Sequence, residues 1–335
     1  GYLPTSAAYS ESWKLTVEAG SKDVGQTPVV VPITEPIAPG IYRIDKADGS
    51  TAHAQVFREE QVTYLALNAP DIAAGSSRTF TLVPEAKAAG DEASGVTLTP
   101  DGPNVAIKVD GKLFTEYRTD EGPKPFLFPL NGPEGTPITR AYPMKNVEGE
   151  TRDHPHHRSL WFTYGRLNGI DFWAEPRGKP FGSIKEIGRE PLIQGPVLGR
   201  LHTRDQWVSP SGVKVCEDER ILTIYHTKAA RIFDFDITIK ATEGPVEFSD
   251  TKEGMFGVRV ASTMDVTRKQ GGKIVTSEGL VDDKAWGKPA AWVDYSGPVA
   301  GKTVGIAILN HPESFRYPTT WHVRTYGLFA ANPFG

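Results

Sequence analysis

"RIFDFDITIKAT", Arg231–Thr242, decides the fold class. Ile232, Phe233, Phe235, Ile237 and Ile239 lie among polar residues, and from Phe233 to Ile239 apolar and polar positions alternate. Alternation with period two puts the apolar side chains on one face of an extended chain, the pattern of a half-buried β-strand. The same pattern recurs in both directions from this stretch. "WKLTVEA", "GVTLTP", "NVAIKVD", "RILTIYH", "GKIVTSEG" and "TVGIAILNH" are alternating runs of about five to seven residues, bounded by turn formers. With 34 glycines and 27 prolines, few windows are long enough for a helix. The chain reads as all-β.

A length of 335 residues is too much for one small core and fits two domains. Residues 1–90 hold strands expected at Trp13–Val17, Pro28–Ile33, Ile41–Ile44, Ala54–Glu59, Val62–Leu67 and Arg78–Val83, with turns in "DKADGST" and "PDIAAGSSR". They suit a small N-terminal β-sandwich. "PEAKAAGDEASG", Pro84–Gly95, is rich in alanine, glycine and charge and reads as a linker. From Val96 to the C-terminus strands recur at spacings of roughly 8–15 residues, without an internal repeat. Residues 96–335 therefore suit a large two-sheet sandwich, of the architecture that sugar mutarotases and polysaccharide lyases use.

Composition narrows the function. A formal net charge of −4 and the absence of any Lys/Arg run argue against nucleic acid as a partner. No stretch of about 18 apolar residues offers a membrane span. The single Cys216 excludes disulfides within the chain and multi-cysteine metal sites, and reads as a strand thiol. The chain starts at Gly1 without a secretory leader, as a processed or engineered terminus would, and its composition suits a periplasmic or secreted protein. No glycine-rich phosphate loop precedes a helix and no nucleophile elbow is present, so neither NAD nor ATP is expected as a cofactor.

The most specific stretches are "GTPITRAYP", "DHPHHRSLWF", "NGIDFW", "DTKEGMFGVRV", "AWGKPAAWVDYSG" and "TTWHVRTYGLFAANPFG", in that order. Together they resemble the bacterial family labelled "methane oxygenase PmoA", over roughly Val105 to Gly335. The resemblance implies a β-rich protein from bacteria that degrade complex polysaccharides, often accompanying sugar-processing enzymes. It supplies no catalytic mechanism. The membrane subunit that shares the label needs spans that this chain lacks.

Chemistry is concentrated in "RDHPHHRSLW", where His154, His156 and His157 are three of eight histidines. In an extended segment His154 and His156 share one face. Three readings stand side by side. In the first, His154, His156 and His322 ligate one divalent metal (Zn, Cu, Fe or Ca), with His226 or Glu253 as other third ligands and Asp153 or Asp171 orienting the rings. Such a site would suit a metal-assisted enzyme or a Cu or Fe oxidoreductase. In the second, His156, His157, Glu253 and His322 do acid–base work on a glycoside, by hydrolysis, elimination or epimerisation. Asp250, Arg140 and His226 are compatible additions. In the third, the histidines only satisfy buried polar groups, and the protein binds sugar without turning it over. A carbohydrate partner is expected because Trp161, Trp173 and Trp321, with Trp286 and Trp292 nearby, could stack on sugar faces. Arg140, Asp171, Arg259 and Arg324 could bond the hydroxyls.

Overall fold

The structure, a computed structural model, describes residues 12–45, 50–85 and 94–335. Most of the expected linker (86–93), the centre of the "DKADGST" turn (46–49) and Gly1 lie outside the described residues. Among the described residues there are strands and three short 3-10 turns but no α-helix. Among these described residues no helix is long and apolar enough to cross a membrane.

The first six strands are β1 (Trp13–Glu18), β2 (Thr27–Ile33), β3 (Gly40–Asp45), β4 (Thr51–Glu59), β5 (Val62–Ala69) and β6 (Ser77–Glu85). They form one antiparallel sheet in the order β1-β6-β3-β4-β5-β2. Its own core gathers Tyr42, Ile44, Val56, Leu65, Leu67 and Leu82. Phe57 and Ala66 instead pack on Val197, Leu198 and Tyr225 of the body that follows. Polar contacts reinforce that junction: Gln55 Oε1 accepts from the amides of Val197 (3.2 Å) and Leu198 (3.1 Å). A Cβ on the neighbouring Gly195 would sit 2.5 Å from that same oxygen, so only glycine admits Gln55 there.

The body is a sandwich of antiparallel sheets. One layer has eight strands: β7 (Val96–Asp101), β8 (Asn104–Val109), β9 (Lys112–Arg118), β10 (Phe126–Leu127), β11 (Leu160–Tyr164), β16 (Gly254–Arg259), β21 (Leu328–Asn332) and β20 (Thr320–Val323). Facing it are a four-stranded sheet, β12 (Ser183–Arg189), β13 (Leu198–Val208), β14 (Lys214–Tyr225) and β15 (Ile232–Lys240), and a three-stranded one, β17 (Lys273–Thr276), β18 (Trp292–Val299) and β19 (Lys302–Leu309). One apolar cluster draws on all three sheets, from Ile107 and Val258 to Leu222 and Tyr295. β15, the strand that opened the sequence reading, alternates exposed and half-buried positions along its whole length, as its pattern requires. Cys216 is fully buried in β14, and burial raises its thiol to about 12, so it packs as an apolar group. Asn168 and Gly169 both have positive φ and close the expected two-residue hairpin between Leu167 and Ile170.

Candidate functional site

The site is built on the outer face of the eight-stranded sheet, and strand register places its residues. Trp161 of β11 pairs with Gly257 of β16, Gly257 with Ala330 of β21, and Ala330 with His322 of β20. Two small residues thus lie between a tryptophan and a histidine in one transverse row. A Cβ on Gly257 would fall 2.8 Å from the Trp161 indole, so glycine lets the ring lie across the sheet. The next outward row holds Arg259 and Leu328, with Arg324 hydrogen-bonded through its amide to Leu328. Period-two alternation sends the residues between these rows, Leu160, Val258, Phe329 and Val323, into the sandwich core.

The histidine segment is a turn rather than a strand. His154 has φ +42°, and the His157 amide donates to the His154 carbonyl across Pro155 and His156. The expected alternation of faces is overturned, because proline at the second position of a four-residue turn folds the chain back. All three rings touch. His154 stacks on His157 (4.7 Å, 5°), and His156 stands edge-on to both, 5.7 Å from His154 and 4.5 Å from His157. His157 lies in turn on Trp161 (5.2 Å) and His154 on Tyr326 (5.3 Å).

Behind the turn is a charge cluster. Arg140 and Arg259, both fully buried, share Asp153 Oδ1 at 2.5 and 2.9 Å, and His154 Nδ1 meets Asp153 Oδ2 at 3.0 Å. Burial works to raise Asp153, but Arg259, His154 and Arg140 outweigh it and hold the carboxyl low. Arg259 Nη1 lies 3.1 Å from His157 Nδ1. A guanidinium can only donate, so Nδ1 accepts and the neutral ring carries its proton on Nε2. Burial, then His156 and Arg259, keep His157 far below the usual histidine range. Burial and the nearby Lys124 push His156 down to about 3. Lys124 itself is buried, 2.9 Å from Glu175 Oε1, and Glu175 takes Arg158 through both oxygens.

Opposite these groups, Glu253 precedes β16 and its Oε2 lies 3.6 Å from His322 Nδ1, too far for a hydrogen bond. Glu253 Oε2 and both ring nitrogens of His322 are buried without a partner among the described residues. Trp161 Nε1, Arg259 Nε and Asp265 Oδ1 are in the same condition, so this one region holds six of the ten such atoms found. Burial first, then Arg324 and Lys252, lower His322 to about 4, so it is neutral at neutral pH. Burial raises Asp265 to about 7 against the pull of Arg259. Trp173 links the two halves, 5.8 Å from His157 and 6.4 Å from His322.

The hairpin joining β20 to β21 closes the region. Gly327, with φ +99°, lets its tip approach Asp265 and Arg259, since a Cβ there would lie 2.3 Å from Asp265 Oδ1. This turn sets Tyr326 under Arg259 (5.1 Å) and Arg324 (5.5 Å). Burial raises the Tyr326 phenol, so it keeps its proton at neutral pH.

Not every expected site residue is placed to meet a solute. Trp161, Trp173 and Trp321 are at most 2% exposed and have no free face for a sugar. Trp321 belongs to the core, its indole nitrogen donating to the Ala290 carbonyl, because it alternates inward beside outward-facing His322. Asp171 Oδ1 accepts from the amides of Trp173 and Ala174, so it fixes a turn rather than a histidine. His226 lies away from the cluster, its Nδ1 2.8 Å from the Pro196 carbonyl, and Asp250 is exposed. Sequence reasoning passed over Tyr326, Lys124, Glu175 and Asp265. Only Tyr326 carried a signal, as the residue before glycine in "TTWHVRTYG".

Metal ligation finds little support in these donors. A ring nitrogen presents its lone pair in the ring plane, so the parallel rings of His154 and His157, 4.7 Å apart, cannot both aim at an ion about 2.1 Å from each, an objection that does not reach the edge-on pair His154 and His156. Among the described residues no group of three His, Cys, Asp or Glu side chains, the expected His154, His156 and His322 included, could hold a metal ion.

Residues 104–335 match a protein family described as a family of unknown function, DUF6807. The chain belongs to this family. The DUF6807 match takes in β8 to β21 and with them every residue of the site, while β1–β6 lie outside it. No curated protein and no solved structure matches the chain.

Proposed function

We propose that the protein is a carbohydrate-active enzyme in which His322 and Glu253 carry out proton transfer on a glycoside or polysaccharide fragment. The observation behind this reading is the set of facing, buried and unpartnered atoms, Glu253 Oε2, His322 Nδ1 and His322 Nε2. Each such atom costs about 1–3 kcal/mol when left unpaired, so their concentration is expected where a ligand supplies the missing bonds. A neutral imidazole next to a carboxylate is a competent base. It accepts a proton, and the carboxylate 3.6 Å away stabilises the imidazolium. The Arg140–Asp153–Arg259–His157 cluster holds the turn from behind, leaving His154, 40% exposed, and Tyr326 facing the same space.

Hydroxyl-bearing substrates fit the mixture of arginine, histidine and aromatic edges, and the family resemblance to proteins of polysaccharide-degrading bacteria points the same way. A periplasmic or secreted setting suits such a substrate. Burial of Trp161, Trp173 and Trp321 speaks against a binding module built on stacking tryptophans. Assaying a broad glycan panel with and without chelator tests this. Turnover that resists chelation and falls in Glu253→Gln supports it, and turnover lost with chelation and restored by one metal contradicts it.

A further inference from the structure

Arg324 stands apart from the other partly or fully buried arginines. Arg158, Arg189, Arg200 and Arg220 each hold a carboxylate within 3.2 Å. The Arg324 side chain makes no hydrogen bond and no ion pair among the described residues. Its contacts are two rings, Trp286 at 5.5 Å and Tyr326 at 5.5 Å. It is partly exposed, and Trp286 is 46% exposed. A guanidinium that contacts only ring faces keeps its five N–H donors free, and their planar fork fits a carboxylate through two parallel bonds. Two residues along the same strand face is His322. The carboxylates nearby are already engaged: Asp153 by Arg140 and Arg259, with Glu150 and Asp265 acting on the same two arginines, and Glu253 by Lys252 at 2.9 Å. Arg324 is thus left without a carboxylate of the fold within ion-pair reach among the described residues.

We infer that the site takes a sugar bearing a carboxylate, a uronate, and that Arg324 recognises that group. The inference rests on the His322–Glu253 reading and narrows its chemistry. A carboxylate on C5 acidifies the C5–H, and pairing it with a guanidinium stabilises the charge that develops when that proton leaves. His322 takes the C5 proton. The electron pair left behind forms the C4–C5 double bond, the C4–O4 bond breaks, and the departing oxygen takes the proton back from His322. The step is an elimination that needs no oxidant, reductant or co-reactant.

The test compares uronate oligosaccharides with the same chains after reduction of their carboxyl groups, and with sulfated neutral oligosaccharides. Calorimetric titration of the full chain measures binding, and the ultraviolet absorbance of the new conjugated double bond measures elimination. Uronates should bind at least about tenfold tighter than their reduced forms, the worth of a charge-assisted bond. Arg324→Gln should erase that difference, and Arg324→Lys should restore only part of it. Equal binding of reduced and unreduced chains, or a preference that survives Arg324→Gln, overturns the uronate inference while leaving acid–base chemistry on neutral sugars intact. An Arg324-dependent preference for sulfated chains overturns it as well. Failure of every glycan to bind overturns the underlying reading too.

Discussion

His202 and His322 are buried alike, 5% and 4% exposed, yet their surroundings differ completely. His202 sits where the N-terminal sheet meets the body. Its Nδ1 lies 3.0 Å from Glu59 Oε1 and its Nε2 2.7 Å from Glu219 Oε1, while Arg200 takes the other oxygen of Glu59 at 2.6 Å. Every polar atom there has a partner, as stable protein interiors require. Among the described residues neither ring nitrogen of His322 has a well-aligned partner, with only the Lys252 backbone near it, and Glu253, paired to Lys252 through Oε1 at 2.9 Å, leaves its Oε2 open. Depth of burial alone therefore does not distinguish a structural histidine from a working one. What differs is whether the fold itself completes the hydrogen bonding.

That contrast can be broken by mutation. Glu253→Gln should lower turnover by about 10²- to 10⁴-fold, the usual worth of a positioned acid or base, and leave the melting temperature within a degree or two. Glu59→Gln should do the reverse, lowering stability and sparing turnover. If Glu253→Gln cost stability and spared turnover, the two regions would not differ as described.

Asp153→Ala should be the most damaging change to stability in the site. It leaves Arg140 and Arg259 buried side by side without their shared carboxylate, at a cost of about 3 kcal/mol. Denaturant unfolding measures it, and a loss below about 1 kcal/mol would show the pair to be solvated. His202→Ala should cost about 1–3 kcal/mol by taking one partner each from Glu59, which keeps Arg200, and Glu219, which keeps Lys240. Faster amide exchange in β4 and β13, with turnover unchanged, would mark the effect as local to the junction.

Titration sharpens the comparison with smaller effects. His322 at about 4 and His156 at about 3 lie below the ordinary histidine value near 6.5. The unfolded chain then binds more protons than the folded one, so their contribution is full above about pH 6.5 and is lost as pH falls through 4 and 3. Stability should decline on acidification across that window. Asp265, raised to about 7, has the opposite sign. Its contribution is full below about pH 4 and lost as pH rises through 7. Asp265→Asn should therefore stabilise the protein at pH 8 relative to the parent and give no gain at pH 4. Equal shifts at both pH values would contradict a protonated Asp265.

The strands were legible because alternation is local. Phe233 to Ile239 announces one face and one period, and the observed β15 follows it residue by residue. The same rule separates inward Trp321 and Val323 from outward His322 and Arg324. Applied strictly to "TTWHVRTYG", it would have removed Trp321 from the site in advance. Register was not legible. The row Trp161–Gly257–Ala330–His322 joins strands far apart in sequence, and only tertiary pairing sets it. Pro155 was ambiguous in principle, because it suits an extended chain and the second position of a turn equally. Asp171 had two outlets for its carboxylate, and the local amides of Trp173 and Ala174 captured it.

The most direct test of the central claim is the melting temperature and turnover of His322→Phe, measured on one preparation. Phenylalanine fills a similar volume and removes two buried nitrogens that the fold leaves unpaired. The account predicts a melting temperature equal to or above that of the parent, with glycan turnover abolished, because the site is held at a cost to stability. A clear fall in melting temperature with turnover retained would contradict it, and would show that His322 is bound into the structure as His202 is.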